Sequence, residues 1–207
     1  MTDYFTFLGL TRKLGIDAQE LDRRYRALSR QVHPDYFHHA SPGERRVSLE
    51  RSAYLNDAYR TLKNPVTRIE YLLTLEAGSP RESDDPPRDG AELKRGIAQP
   101  GKHPPASLLE EVFALNEELG EIREMRGRGA APEEWHARLE RAQQPIEARR
   151  IEHEAEIAAL SSQWDAAIDR DAPLDRRRAI LEALGSKFLE RNYISNLLLG
   201  LERELAD

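Results

Sequence analysis

The spacing of apolar residues along the chain predicts an entirely α-helical protein. Apolar positions recur every three or four residues, as they do along one side of an α-helix, and no segment alternates apolar and polar residues as a half-buried strand would. Within the first 77 residues this pattern predicts four helices. They are a short one in "YFTFLGL", one that begins at Asp17 or Ala18 and ends near Val32, one from Pro42 to Asn64, and a shorter one from Pro65 to Gly78.

Local signals support the starts of two of these helices. Asp17 and Glu20 have the spacing of a capping box, in which each of two residues satisfies a backbone amide of the other. Ser41 and Glu44 have the same spacing, and Pro42 occupies the first helical position, where proline is favoured. The second and third helices should therefore begin where the apolar pattern places them.

The tripeptide His33-Pro34-Asp35 follows the second helix. A residue that precedes proline is displaced from the helical region, so the helix should end at Val32 and leave the tripeptide in a loop. Since the second and third helices are predicted to form an antiparallel hairpin, this loop would lie at its tip and face outward.

Both helices of the hairpin are amphipathic. The inward side of the second helix is predicted to hold Leu21, Tyr25, Leu28 and Val32, with Arg23, Arg26 and Arg30 on the opposite side. The third helix carries the apolar residues Val47, Tyr54, Leu55, Ala58 and Leu62.

A proline- and glycine-rich stretch separates this region from the rest of the chain. Between Gly78 and Ser107 it holds six of the 12 prolines and four of the 12 glycines. Such a composition buries too little apolar surface to offset the entropy of ordering, so residues 78–106 are predicted to be a flexible linker. Two modules, residues 1–77 and 107–207, would flank it.

The region after the linker is predicted to be a three-helix bundle. Its first helix begins at Ser107 and ends at Gly127 and Gly129, its long second helix bends at Pro145, and its third follows a break near Asp171. The predicted inward positions of the three helices are Val112, Leu115, Leu119 and Ile122; Trp135, Leu139, Ala142, Ile146, Ile157, Leu160 and Trp164; and Ile194, Leu198, Leu201 and Leu205.

Composition and charge narrow the classes of function. The 207 residues include no cysteine, which excludes disulfides, thiol nucleophiles and Cys-ligated zinc or iron–sulfur clusters. No 18-residue apolar run or secretory signal is present, so we expect a cytoplasmic protein with no membrane partner.

Residues 1–77 carry 12 Lys and Arg against 10 Asp and Glu (+2), whereas the rest carry 19 against 27 (−8). This balance argues against nucleic acid as a partner but permits a local basic patch for an acidic protein.

The N-terminal region resembles a J-domain, the DnaJ-type module that stimulates ATP hydrolysis by DnaK-type chaperones. His33-Pro34-Asp35, the basic-faced helix before it and "YLNDAYRTLKNP" after it carry this resemblance. Together with "DYFTFLGL", "HPDYF", "NDAYRTLKNPVTRIEYLL" and "LLEEVFALNEELGEI", they make the chain similar to the HscB-type co-chaperones of iron–sulfur cluster assembly. The similarity is close over residues 1–77 and looser over residues 107–205.

The resemblance implies a co-chaperone that is not an enzyme and has no cofactor. In that family the J-domain engages a DnaK- or HscA-type ATPase chaperone, while the C-terminal bundle holds the IscU-type scaffold on which clusters are built. The residues implied in chaperone binding are His33, Pro34 and Asp35 in the loop and Arg23, Arg26 and Arg30 on the helix. Tyr36 departs from the pattern, since J-domains often carry Lys or Arg there.

Two apolar rows that the predicted bundle core does not need are candidates for the scaffold contact. Leu109 and Phe113 lie to one side of the inward stripe of the first bundle helix, and Tyr193 and Leu197 lie to one side of that of the last. "NYISNLL" resembles the aromatic-apolar binding segment of the family, with Phe188 as the alternative to Tyr193. The other interpretation is that both rows widen the core.

Metal binding is a further alternative, which histidines and carboxylates would have to provide. His33, His38 and His39 lie close in sequence, but neighbouring histidines rarely converge on one ion. A di-iron bundle needs two Glu-x-x-His motifs, and only Glu133 with His136 forms one. His153 is expected in or beside the core.

Two rival functions follow from these alternatives. A general J-domain co-chaperone would bind unfolded clients rather than a folded scaffold. A helical-bundle metalloenzyme would use Glu133, His136 and His153.

Overall fold

The computed structural model describes residues 2–33, 40–76 and 106–206, with side chains as far as residue 204. All of the regular elements within these ranges are helical, as the apolar spacing predicts. They are α1 (Tyr4–Phe7), α2 (Ala18–Val32), α3 (Pro42–Lys63), α4 (Pro65–Glu76), a 3₁₀ turn (Ala106–Leu108), α5 (Leu109–Gly127), α6 (Pro132–Asp169) and α7 (Leu174–Ala206).

The starts of α2 and α3 test the predicted capping boxes. The side-chain oxygen of Ser41 accepts a bond from the Glu44 amide while the Glu44 carboxylate accepts one from the Ser41 amide, so the predicted capping box at α3 is confirmed. Asp17 also caps α2, but it accepts from the Gln19 amide, and the Glu20 carboxylate binds arginines instead of closing a box.

The predicted start of the first bundle helix is wrong. Residues Ala106–Leu108 form a 3₁₀ turn, and α5 begins at Leu109 without a side-chain cap. The predicted ends hold better, because Gly129 adopts a left-handed φ of 76° after α5 and the backbone of Asp171 does the same, at 46°, between α6 and α7.

The chain forms two compact units that do not follow the order of the sequence. The first contains the N-terminal helices together with Ser161–Leu181, and the second contains the bundle residues up to Leu160 together with Glu182 onward. Helices α6 and α7 therefore each contribute to both units. The division predicted at residues 78–106 lies almost wholly outside the described residues, and 161–181 joins the first unit rather than the bundle.

The first unit has an aromatic and aliphatic core around α1. The ring of Tyr4 stacks on that of Tyr71 with centroids 4.4 Å apart, and the Tyr71 hydroxyl accepts a bond from the Tyr4 amide. Burial raises the pKa of Tyr71 well above its ordinary value. The fully buried side chains of this core include Tyr4, Phe5, Leu8, Leu21, Leu55, Leu62 and Leu72.

The loop between α1 and α2 is held by the end of α6. The amides of Leu14 and Gly15 both donate to the Asp165 carboxylate at 2.6 Å, and the Trp164 indole donates to the Arg12 carbonyl at 2.7 Å. A Cβ atom on residue 15 would lie only 2.7 Å from Asp165 Oδ2, so a larger residue there would displace the Asp165 carboxylate.

The second unit has its own core, to which α5, α6 and α7 all contribute. Its buried side chains include Val112, Leu115, Ile122, Trp135, Leu139, Ile146, Ile194, Leu198 and Leu201, as the inward stripes predict. Leu205 lies outside the residues whose side chains are described. None of the helices described has the length and apolar content that crossing a membrane requires.

Candidate partner-binding surfaces

The end of α2 positions the first candidate surface. His33 is the C-terminal cap of α2, with an extended backbone (φ −63°, ψ 129°) and an exposed side chain. The Ser48 hydroxyl of α3 donates to the Val32 carbonyl at 2.8 Å and so ties this end of α2 to α3. Pro34 and Asp35, the other two residues of the predicted loop, lie outside the described residues.

The three arginines predicted on the outward side of α2 are all exposed, but they are not equivalent. Arg23 shares the Glu20 carboxylate with Arg24, and these contacts, above all the bond from Arg24, lower the pKa of Glu20. Arg26 and Arg30 have no ion pair with any residue in the part of the chain that the structure describes. These two carry the charge that is available to a partner.

The packing of α2 on α3 fixes which side of each helix remains accessible. The Tyr25 hydroxyl donates to Asn56 at 2.8 Å, and the Tyr59 hydroxyl donates to Asp22 at 2.6 Å. The Tyr25 and Tyr59 rings stack with centroids 4.2 Å apart. On the other side of α2, Arg24 donates to backbone carbonyls of the α1–α2 turn.

The first half of α3 leaves apolar side chains exposed. Val47, the first of the apolar residues noted on this helix, is 47% exposed, and Leu49 is 58% exposed. Within Ser41–Arg51 only Ser48 is buried. The difference in predicted helix lengths could have indicated this, because α2 ends at Val32 and leaves the start of α3 with little to pack against.

The second candidate surface lies on α5. Val112 and Leu115 are buried in the bundle, whereas Phe113 is 69% exposed and Leu109 is half-buried. A phenylalanine with most of its surface in water contributes little to the core. The structure therefore leaves Phe113 available to a partner, as the scaffold interpretation requires.

The residues predicted on the last helix divide between surface and core. Tyr193 and Leu197 are half-buried and pack partly against the bundle core. Phe188 has no exposed surface, so it could reach a partner only if α7 repacked. Tyr193 is the better placed of the two alternatives.

The residues proposed for a metalloenzyme do not converge. Glu133, His136 and His153 all lie on α6, and at 1.5 Å per residue His153 is about 25 Å along the helix from His136. Burial lowers the pKa of His153, and its Nε2 lies 3.2 Å from Glu190 Oε2. Among residues 2–33, 40–76 and 106–206, no cluster of three or more His, Cys, Asp or Glu side chains could hold a metal ion. His38 and His39 lie outside these ranges.

Comparisons with known proteins agree with this architecture. Residues 3–71 match the model of the DnaJ domain family. The structure is similar to that of the chaperone HscB from Vibrio cholerae, with a TM-score of 0.58 and 24% identity over 97% of this chain and 96% of that one. It is also similar to human co-chaperone protein HscB, with a TM-score of 0.54 and 25% identity over 99% of this chain and 82% of that one.

Proposed function

We propose that this chain, whose residues 3–71 match the DnaJ domain family and whose fold is similar to that of the HscB co-chaperones, stimulates a DnaK- or HscA-type ATPase and delivers an IscU-type iron–sulfur scaffold to it. The observation that supports this pairing of tasks is that Phe113 is exposed in the second unit, whereas the exposed arginines of α2 belong to the first. We place the activity in the cytoplasm.

On the chaperone side, the ATP chemistry takes place on the partner, and this chain acts as its effector. Arg26 and Arg30 provide exposed positive charge for an acidic surface of the ATPase, and such charge mainly raises the rate of encounter. His33 begins the loop that would then engage the chaperone. Asp35 is assigned the triggering role through its match to the family's tripeptide.

On the scaffold side, the apolar surface that would bind the scaffold includes Leu109 and Phe113, which lie one helical turn apart on α5. Helix α7 would contribute Tyr193 and Leu197 to it. Glu110, which follows Leu109 in the sequence, is exposed and acidic, so it does not extend this apolar contact. Because both surfaces belong to one chain, a bound scaffold would be held at high effective concentration near the ATPase.

The test is a steady-state ATPase assay of a purified DnaK-type chaperone with this chain and an IscU-type scaffold. Asp35→Asn should abolish stimulation, because it removes the charge of the residue to which the match with the family's tripeptide assigns the triggering role. Phe113→Ala should leave stimulation by the chain alone unchanged but weaken scaffold binding in calorimetry by about tenfold or more.

Ile151→Ala is the matched control for Phe113, since Ile151 is also a large apolar side chain, 61% exposed, in the same unit. It should bind scaffold as the unaltered chain does. Stimulation that persists in Asp35→Asn contradicts the chaperone assignment. Equal binding of reduced, unfolded proteins and folded scaffold would favour the general co-chaperone instead.

A further inference from the structure

We infer that the surface that docks the DnaK-type chaperone extends from α2 onto the first half of α3, where Leu49 is its apolar contact. This inference rests on the proposed function and adds a second helix to the site. It commits to one occupant, the ATPase that Arg26 and Arg30 would engage.

The exposure of Leu49 is the first observation. Leu49 is 58% exposed although it lies in a regular helix. Within Ser41–Arg51 only Ser48 is buried. Exposed leucines are ordinary when they are scattered singly, so exposure alone does not identify a site. The position of Leu49 relative to α2 provides the rest of the argument.

Leu49 and Val47 lie on opposite sides of α3. Ser48 faces α2 through its bond to the Val32 carbonyl, and residues on either side of it point about 100° away in opposite directions. Asn56, two turns after Leu49, accepts a hydrogen bond from the Tyr25 hydroxyl of α2. Tyr54, two turns after Val47, packs edge-on against Tyr4 of α1. Leu49 is therefore on the side away from α1.

Arg26 lies on that same side of α2. It follows Asp22 by one turn, and Asp22 accepts the Tyr59 hydroxyl across the same contact between α2 and α3. Arg24, roughly 200° around the helix from Arg26, instead faces the α1–α2 turn, where it donates to the Leu8 carbonyl. Arg26 and Leu49 thus border one continuous surface across the two helices.

The charge around Leu49 matches the charge on α2. Arg45 lies one turn before Leu49, is exposed, and has no ion pair with a described residue. Arg46 is exposed as well, although it pairs with Glu50 at 3.0 Å. Among the described residues, this surface combines exposed arginines of α2 and α3 with the apolar side chain of Leu49, which fits an acidic partner surface with an apolar depression.

The test compares Leu49→Ser with Val47→Ser in the ATPase assay, using full-length chain and a purified DnaK-type chaperone. Both variants remove an exposed apolar side chain from the same helix, two residues apart, so each is a matched control for the other. We expect Leu49→Ser to raise the concentration for half-maximal stimulation by about fivefold to tenfold, with maximal stimulation kept, because docking weakens while the loop is intact. Val47→Ser should match the unaltered chain, and neither variant should change the melting temperature.

Four results would overturn the inference. Equal stimulation curves for Leu49→Ser and the unaltered chain, alongside a loss in Asp35→Asn, would remove α3 from the surface and leave the proposed function intact. Equal losses in Leu49→Ser and Val47→Ser would also contradict it. Self-association of the unaltered chain that Leu49→Ser abolishes, measured by sedimentation, would assign the surface to a second copy. An unaltered chain that stimulates no DnaK-type ATPase would overturn the surface and the proposed function together.

Discussion

The first unit has two ends that differ in how many of their polar and apolar groups have partners within the chain. At the clamped end, the Arg12–Ile16 loop is bonded to Trp164 and Asp165, and Lys13 forms an ion pair with Asp169. At the open end, residues 26–33 and 41–51, the exposed charged and apolar side chains include Arg26, Arg30, Val47 and Leu49. The contrast separates groups used for stability from groups left for a partner.

Single apolar and charged residues illustrate the difference between the clamped end and the open end. Trp164 is 1% exposed and its indole nitrogen has a backbone partner, whereas Leu49 is 58% exposed. Asp165 accepts two backbone amides, whereas Arg26 and Arg30 lack ion pairs within the described residues. Substitutions at the clamped end should therefore reduce stability, and substitutions at the open end should chiefly affect binding.

The largest effect on stability is expected for Trp164→Ala. Removing a buried tryptophan leaves a cavity and also leaves the Arg12 carbonyl without its donor, so the free energy of unfolding should fall by about 3–5 kcal/mol. Urea denaturation followed by circular dichroism measures this. Trp164→Phe keeps most of the packing and should lose clearly less. A loss below 1 kcal/mol in the alanine variant would show that the end of α6 does not stabilise the first unit.

A smaller effect is expected for Asp165→Ala. The change removes the acceptor of the Leu14 and Gly15 amides, and charge-assisted bonds of this kind should cost about 2 kcal/mol in total when water replaces part of them. Asp169→Asn is the matched control, because the Asp169 carboxylate is exposed and its pair with Lys13 should contribute at most about 0.5 kcal/mol. Equal losses in the two variants would contradict a specific role for the amide contacts.

An effect smaller than that of Asp165→Ala is expected at the open end, for Ser41→Ala. Losing the N-terminal cap of α3 should cost about 1 kcal/mol. Bonds from the Ser41 hydroxyl and then from its amide lower the pKa of Glu44 below its ordinary 4.5. A carboxylate with a lowered pKa stabilises the fold above its ordinary value and ceases to do so as the pH falls through the lowered one. The difference in melting temperature between the unaltered chain and Ser41→Ala should therefore narrow below pH 4.5, which thermal melting across pH measures.

The helix boundaries could be predicted because their signals are local. Pro34 limits α2, Ser41 with Glu44 starts α3, and Asn64 with the following proline separates α3 from α4. Each signal works through the backbone of its own neighbours, so no knowledge of the distant chain is needed. The start of α5 was mistaken because Ser107 has the right spacing, but the chain enters the helix through a 3₁₀ turn.

The exposure of individual side chains was harder to predict, because the apolar spacing shows which side of a helix faces inward but not how far its neighbour extends. Val47 is one of the apolar residues noted on α3, yet α2 has already ended opposite it. Phe188 and Tyr193 both fit the pattern of the last helix, and only packing distinguishes the buried residue from the accessible one. The contact of Asp165 with the Leu14 amide, 151 positions away, left no local signal.

That separation determines the order in which the protein can fold during synthesis. The Arg12–Ile16 loop leaves the ribosome long before Asp165 exists, and at about 5–20 residues per second the wait is roughly 8–30 s. Throughout that interval the amides of Leu14 and Gly15 lack their acceptor. The first unit, although it begins at the N-terminus, is completed only after most of the bundle has been made.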